Sequence, residues 1–263
     1  MNPIDRVFSH LKTAGLKAFV PFIPAGDPDL PTTGRLLREV ARRGASLIEV
    51  GFPYSDPIAD GSVIQASYTR ALATGVTVDA VFETVRAYQP CVPLVAMISY
   101  SLVHHRGPVR FIEDAKANGF SGAIVPDMPL EEAEELVKLA AQRDFKLVLL
   151  VTPATPHDRA IRIASLSTGF LYCVSVVGIT GERQDLPVSL LDHLGWLRKQ
   201  TTLPLCVGFG ISTPAHVRML RNVADGVIVG SALVRKLEEK VPLDAMVGRV
   251  GDLVEQLSAA ANS

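Results

Sequence analysis

The chain carries no surplus of charge: its 263 residues hold 26 lysines and arginines against 27 aspartates and glutamates. A protein without a global field does not draw in nucleic acid or an anionic membrane, so any anion it takes must be held by local groups. Cysteine is scarce. Cys91, Cys173 and Cys206 show no metal-ligand spacing, and Cys173 and Cys206 lie inside the apolar runs LYCVSV and LPLCVGFG. A reduced thiol packs there as a small core residue, and no base stands nearby in sequence to make a catalytic thiolate. A cytoplasmic setting is expected. No uncharged apolar run approaches the roughly 20 residues of a membrane span. The stretch MNPIDRVFSHLKTAG is charged throughout, where a signal peptide needs an apolar centre. The expectation is a protein neither exported nor anchored. Also missing are a linker, a low-complexity tract and a GxGxxG after the first strand-like run.

What is present is a core-forming composition, 48% apolar and 20% charged, in a length that suits one α/β barrel or two small domains. Eight short apolar runs recur along it: AFVPFIP (18–24), SLIEVGF (46–52), PLVAMIS (93–99), GAIVPD (122–127), KLVLLVT (146–152), FLYCVSV (170–176), LPLCVGF (203–209) and GVIVGS (226–231). Near-continuous apolarity marks strands covered on both faces. Between them lie helical patterns with their own punctuation. DLPTTGRLLREVARRGA stops at Gly44, LEEAEELVKLAAQRD carries acids in its first turn, and TPAHVRMLRN starts with a threonine cap and a proline. The pattern predicts an α/β protein, a (β/α)8 TIM barrel spanning residues 1–263 as a single domain, with extra N-terminal and loop helices. An open, doubly wound sheet is the structural alternative.

In a barrel the chemistry gathers at the C-terminal ends of the strands, and phosphate at the loops after strands seven and eight. Glu49 stands in the second run, opposite in alternation to Ile48 and Val50. If those two pack under helices, Glu49 points into the barrel mouth, where burial raises its pKa toward proton-transfer range. A buried glutamate held by a structural arginine fits the same position. Asp60 follows in a Pro/Gly-rich loop, where an acid is either a turn former or the partner of Glu49 in an acid/base pair. At the other end of the chain, VGFGIS places Gly208 and Gly210 after strand seven, and VGSALV places Gly230 and Ser231 at a helix start after strand eight. Glycines let backbone N–H groups close on a phosphate without any lysine. The segment VVGITGERQDLPVS (176–189) reads either as a closing lid or as an ordinary surface loop.

The run LIEVGFPYSDPIADGSVIQ, taken in order with FIPAGDP (22–28), VPDMP (125–129), GITGER (178–183), VGFGIS and VGSALV, strongly resembles the tryptophan synthase alpha chain family over nearly the whole chain. The resemblance implies cleavage of indole-3-glycerol phosphate to indole and glyceraldehyde 3-phosphate without a cofactor. It makes Glu49 the general acid and base and Asp60 the partner of the indole N–H, with Tyr172 near them. Phe22, Ile98 and Leu150 would line the indole pocket, although those positions suit any barrel interior. Gly181, Gly210, Gly230 and Ser231 would hold the phosphate with Phe209 beside it, and Thr180 would close the lid onto Asp60. It further implies a partner, a pyridoxal-phosphate beta chain in an alpha2beta2 heterotetramer. The sequence departs from the family where Ser62 follows Gly61 in place of a common proline, and in SYSLVHHRGP (99–108), which includes His104 and His105. Both departures fall on the side that faces the partner in the family, while Asp127 keeps its place at the end of strand four.

Two other readings remain open on sequence. An isomerase-type barrel acting on another phosphorylated metabolite would share the phosphate loops but set its acids on other strands. A largely regulatory subunit would keep the fold with little turnover of its own.

Overall fold

The computed structural model describes residues 1–58, 60–175 and 188–263. Its strands are β1 (Ala18–Pro24), β2 (Ile48–Gly51), β3 (Leu94–Met97), β4 (Phe120–Ile124), β5 (Lys146–Val148), β6 (Leu150–Val151), β7 (Leu171–Val174), β8 (Leu205–Gly208) and β9 (Gly226–Val229). The helices are α1 (Pro3–Ala14), α2 (Leu30–Arg42), α3 (Ser62–Ala73), α4 (Val78–Tyr88), α5 (Tyr100–Arg106), α6 (Pro108–Ala117), α7 (Leu130–Ala141), α8 (His157–Leu166), α9 (Val188–Leu197), α10 (Pro214–Leu220), α11 (Ser231–Leu237) and α12 (Leu243–Asn262). None of them is long and apolar enough to cross a membrane.

All strand pairs are parallel, in the order β5-β4-β3-β2-β1-β9-β8-β7-β6. The two ends of that order, β5 and β6, are separated in the chain by Leu149 alone. The sheet therefore closes on itself through the backbone, as the TIM barrel predicted from the sequence. The extra strand is the predicted run KLVLLVT divided in two. Its interruption has a visible cause: the Leu149 N–H donates to Ser167 Oγ (3.0 Å) and the Leu147 N–H to Thr168 Oγ1 (2.7 Å), so two hydroxyls take donors that a neighbouring strand would otherwise receive.

Apolar side chains form two layers. Ile48, Val50, Ala96 and Val207 face outward to the helices with Leu36, Phe82, Phe111 and Leu136, while Val20, Phe22, Val95, Met97, Ile124, Val148, Tyr172 and Ile228 face inward. The alternation of strand side chains produces this division. Ile4 and Phe8 of α1 join the inner layer, and Asn2 Nδ2 donates to the Ser121 and Asp144 carbonyls, which plugs the N-terminal end of the barrel. Among the described residues the other end is left open as a cleft.

Local signals account for the helix starts. Asp29 accepts from the Thr32 N–H (2.7 Å), Thr77 from the Ala80 N–H (3.2 Å) and Thr213 from the His216 N–H (3.3 Å). Each satisfies a donor that the helix itself cannot reach. Gly44, just past α2, takes φ 104°, a value that glycine adopts without strain.

Candidate active site

Glu49 sits on β2 between Phe22 of β1 and Val95 of β3 in register, 1% exposed, with Ile48 and Val50 turned to the outer layer. Its Oε1 has no hydrogen-bond partner among the described residues. Burial, helped by the charge of Asp60, pushes the carboxyl up to about 8. Among the described residues no arginine pairs with it, so nothing there supports the structural-ion-pair reading of this glutamate. At neutral pH it is a protonated acid facing a cleft.

Asp60 is half-buried on the turn that leads into α3. Gln65 Nε2 pins that turn by donating to the Pro57 carbonyl (3.1 Å) and the Asp60 carbonyl (2.9 Å). Burial first, and then the charge of Asp127, raise Asp60 to about 7. Asp127 is fixed at the end of β4, accepting from Ser99 Oγ (2.6 Å) and the Tyr100 N–H (2.7 Å). The segment 99–108 is thus the short helix α5 with Ser99 as its cap, and His104 and His105 are exposed on it.

Two buried tyrosines flank the acids. Tyr172 of β7 is 3% exposed, and a Cβ placed on Gly208 would collide with its hydroxyl and ring. Tyr68 of α3 is also 3% exposed, with its hydroxyl 2.6 Å from where a Cβ on Gly51 would stand. The space at Gly208 is filled by the Tyr172 phenol, and the space at Gly51 by the Phe22 ring together with the Tyr68 hydroxyl. Burial, with the charges of Glu49 and Asp60 next, holds both phenol protons well above their usual range.

Across the cleft the groups are backbone. Phe209 (φ 71°) and Gly210 (φ 73°) are consecutive left-handed residues after β8. That conformation is uncommon for a bulky side chain. It is held here by Ser175 Oγ donating to the Phe209 carbonyl and by the Phe209 ring edge on Tyr172, centroids 6.1 Å apart. Gly230 caps α11, accepting from the Leu233 and Val234 N–H groups, and Ser231 opens the helix. The N–H groups of the first turn point outward from the helix end, as an anion site requires.

These parts line one cleft of ≈820 Å³: Phe22, Glu49, Asp60, Tyr172, Phe209, Gly210, Gly230 and Ser231 are all in its wall. Ile98 lies in the outer layer and lines an adjoining cavity of ≈340 Å³ instead, while its neighbour Met97 reaches the cleft. Leu150, paired with Tyr172, packs half-buried on the inner layer outside the cleft wall. Thr180 and Gly181, and the proposed lid except for its last two residues, lie outside the described residues.

Sequence reasoning missed Met97, Tyr68, Ser212 and Arg235. Arg235 carried a readable signal: it lies four residues after Ser231, one helical turn on, and so brings a cation to the wall beside Gly230. Ser62, the residue that departs from the family pattern, is the first residue of α3, exposed, and in the cleft wall. Proline favours that helix position because it has no N–H to leave unpaired. Serine fits the same backbone and adds a hydroxyl to the wall.

An ion-pair cluster centred on the buried Asp27 ties the two walls together. Arg70 of α3 donates to both oxygens of Asp27 (3.1 and 2.6 Å) and to Glu238 (3.0 Å), just beyond α11. Ser67 Oγ adds 2.6 Å to Asp27. The helices whose first turns carry Asp60's turn and Ser231 are thereby clamped to the loop after β1.

A profile described as tryptophan synthase alpha chain matches residues 8–262. A tryptophan synthase alpha chain from Rhodopirellula baltica is 45% identical over 274 residues, covering 99% of both chains. One from Microcystis aeruginosa is 45% identical over 94% of both. Among solved structures, tryptophan synthase of Mycobacterium tuberculosis in an aminoacrylate-bound form superposes with TM-score 0.89 at 28% identity, covering 100% of both chains. Tryptophan synthase subunit alpha of Legionella pneumophila gives 0.88 at 32% identity, covering 99% of this chain and 98% of that one.

Proposed function

This chain belongs to the tryptophan synthase alpha chain family, and we propose that Glu49 and Asp60 carry its lyase reaction. The chain cleaves indole-3-glycerol phosphate to indole and glyceraldehyde 3-phosphate in tryptophan biosynthesis. The observation that supports the assignment is Glu49, buried on the inward face of β2 with Oε1 unpartnered among the described residues, in one cleft wall with Asp60. Burial raises both carboxyls toward the range of proton transfer at neutral pH.

Glu49 gives its proton to the indole ring carbon that bears the side chain. The resulting ring cation shares its charge through the N–H with ionised Asp60. Glu49, now a carboxylate, takes the proton of the glycerol hydroxyl. The carbon–carbon bond breaks, its electrons return to the ring, and the aldehyde forms. Glu49 ends protonated again. Tyr172 packs beside the acids, and Phe22 supplies the aromatic wall, with Met97 next to Ile98 and with Leu150 behind. Gly210, Gly230 and Ser231 hold the phosphate through backbone N–H groups beside Phe209, and Gly181 and Thr180 belong to the same assignment from the sequence. The chemistry asks for no cofactor.

Indole release from the pure chain, with and without a beta chain, tests the reading. Loss of release in Glu49→Gln with phosphate binding intact is the expected result, and unchanged turnover in that variant refutes the role given to Glu49.

The family partners with a beta chain, and an alpha2beta2 heterotetramer is the assembly assigned here. Ile58, 83% exposed on the loop after β2, and helix α5 offer its contact surface. Residues 1–263 act as one barrel unit, placed in the cytoplasm, where the buried thiols of Cys173 and Cys206 stay reduced.

A further inference from the structure

Tyr68 comes from a helix, yet its ring sits in the inner layer of the barrel, tilted 58° against Phe22 with centroids 6.5 Å apart. Its phenol oxygen shares the side-chain space of Gly51 with the Phe22 ring: a Cβ there would collide with Phe22 Cζ and stand 2.6 Å from the Tyr68 hydroxyl. Gly51 lies two residues beyond Glu49 on β2, so that space opens on the face from which Glu49 projects. Tyr68 and Asp60 also line the same ≈340 Å³ cavity, which meets the cleft at Asp60 and Met97. The phenol thus stands where both carboxylates are within its electrostatic reach, and the charges of Asp60 and Glu49 both act on it.

We propose that Tyr68 is a positioning residue of the lyase: its O–H, set at Gly51 on the face from which Glu49 projects and in the cavity that Asp60 lines, donates to Asp60 before proton transfer and to Glu49 once that group has become the carboxylate. The proposal rests on the roles given above to those two acids. Before proton transfer the anion is Asp60 alone; after it Glu49 is an anion as well, and Asp60 then has the indole N–H as its own donor. A single donor that serves both eases charge build-up at each stage, because a hydrogen bond to the charged form favours that form. Burial keeps the phenol proton in place through neutral pH, so the hydroxyl remains a donor. The other titratable groups in that cavity wall are Tyr54, Asp56 and Asp127. Arg70, on the same helix, is engaged by Asp27 and Glu238.

Tyr68→Phe keeps the ring on Phe22 and removes only the O–H. The expected result is a kcat lowered about tenfold with KM changed by less than about twofold. The acid limb of the kcat/KM profile should move upward, because Asp60 loses a donor to its ionised form. A Tyr68→Phe enzyme with the parent's kcat and both parental limbs overturns the proposal. So does a profile that stays parental in Tyr68→Phe while Tyr68→Leu loses only unfolding stability, since the ring is then packing alone. Glu49→Gln assayed beside them separates the failures. If it turns over normally the acid/base assignment falls, and if it is inactive while Tyr68→Phe is parental, only the role of Tyr68 falls.

Discussion

The two ends of the cleft are built from different material. At one end, Glu49, Asp60 and Tyr172 are side chains whose protons are set by burial and by one another. At the other, Gly210, Gly230 and Ser231 offer backbone, shaped by left-handed residues and a helix start. The first end depends on which atoms a side chain carries, the second on which conformations the chain can take. A substitution that preserves shape should therefore ruin the acid end and spare the other, whereas an added methyl should do the reverse.

The sharpest break of that symmetry is Glu49→Gln, which keeps the shape and removes the proton. Indole release should fall by about 10³-fold or more, while binding of inorganic phosphate, measured by calorimetry, stays at the parental level. Asp60→Asn comes next, lowering kcat/KM by about 10²-fold. In the parent, kcat/KM should rise as Asp60 loses its proton at about 7 and fall as Glu49 loses its own at about 8. The Asn variant should keep the falling limb and lose the rising one, as a pH series of steady-state rates would show. At the glycine end, Gly210→Ala places a Cβ on a residue with φ 73°. The strain of about 1–2 kcal/mol should appear as a roughly tenfold higher KM with kcat nearly unchanged.

The smallest effect is on stability. Glu49 titrates near its ordinary 4.5 when unfolded and at about 8 when folded. The folded state holds the extra proton, so its stabilising effect is complete below 4.5 and is lost as pH rises through about 8. Between pH 7 and 8 the loss is about 1 kcal/mol, and Glu49→Gln should abolish it, read from urea midpoints at the two pH values.

The acid end was legible where alternation was clean. Glu49 interrupts an apolar run, and one polar residue among apolar ones fixes which face is which. PLVAMIS offers no such mark. Every position in it is apolar until Ser99, so the choice between Met97 and Ile98 for the cleft wall depends on the register with β2 and β4, which exists only in the folded sheet. KLVLLVT was likewise readable as a strand, but not its division at Leu149, because that division is made by hydroxyls of Ser167 and Thr168 some twenty residues on. Tyr68 was hidden for a related reason. In SVIQASYTRALA it looks like one apolar residue of an amphipathic helix, and only the docking of α3 carries its hydroxyl to Gly51. The glycine end was easier, since glycines at strand ends keep their meaning whatever the neighbouring side chains do.

Tyr172 and Gly208 hold a further consequence, one of history. The phenol stands where a Cβ at 208 would go, and the three described atoms that a Cβ there would first meet all belong to Tyr172. Neither position can drift alone. A lineage that enlarges residue 208 must first shorten residue 172, and one that restores the tyrosine must first restore the glycine. The order of substitutions at these two sites is thereby constrained in both directions.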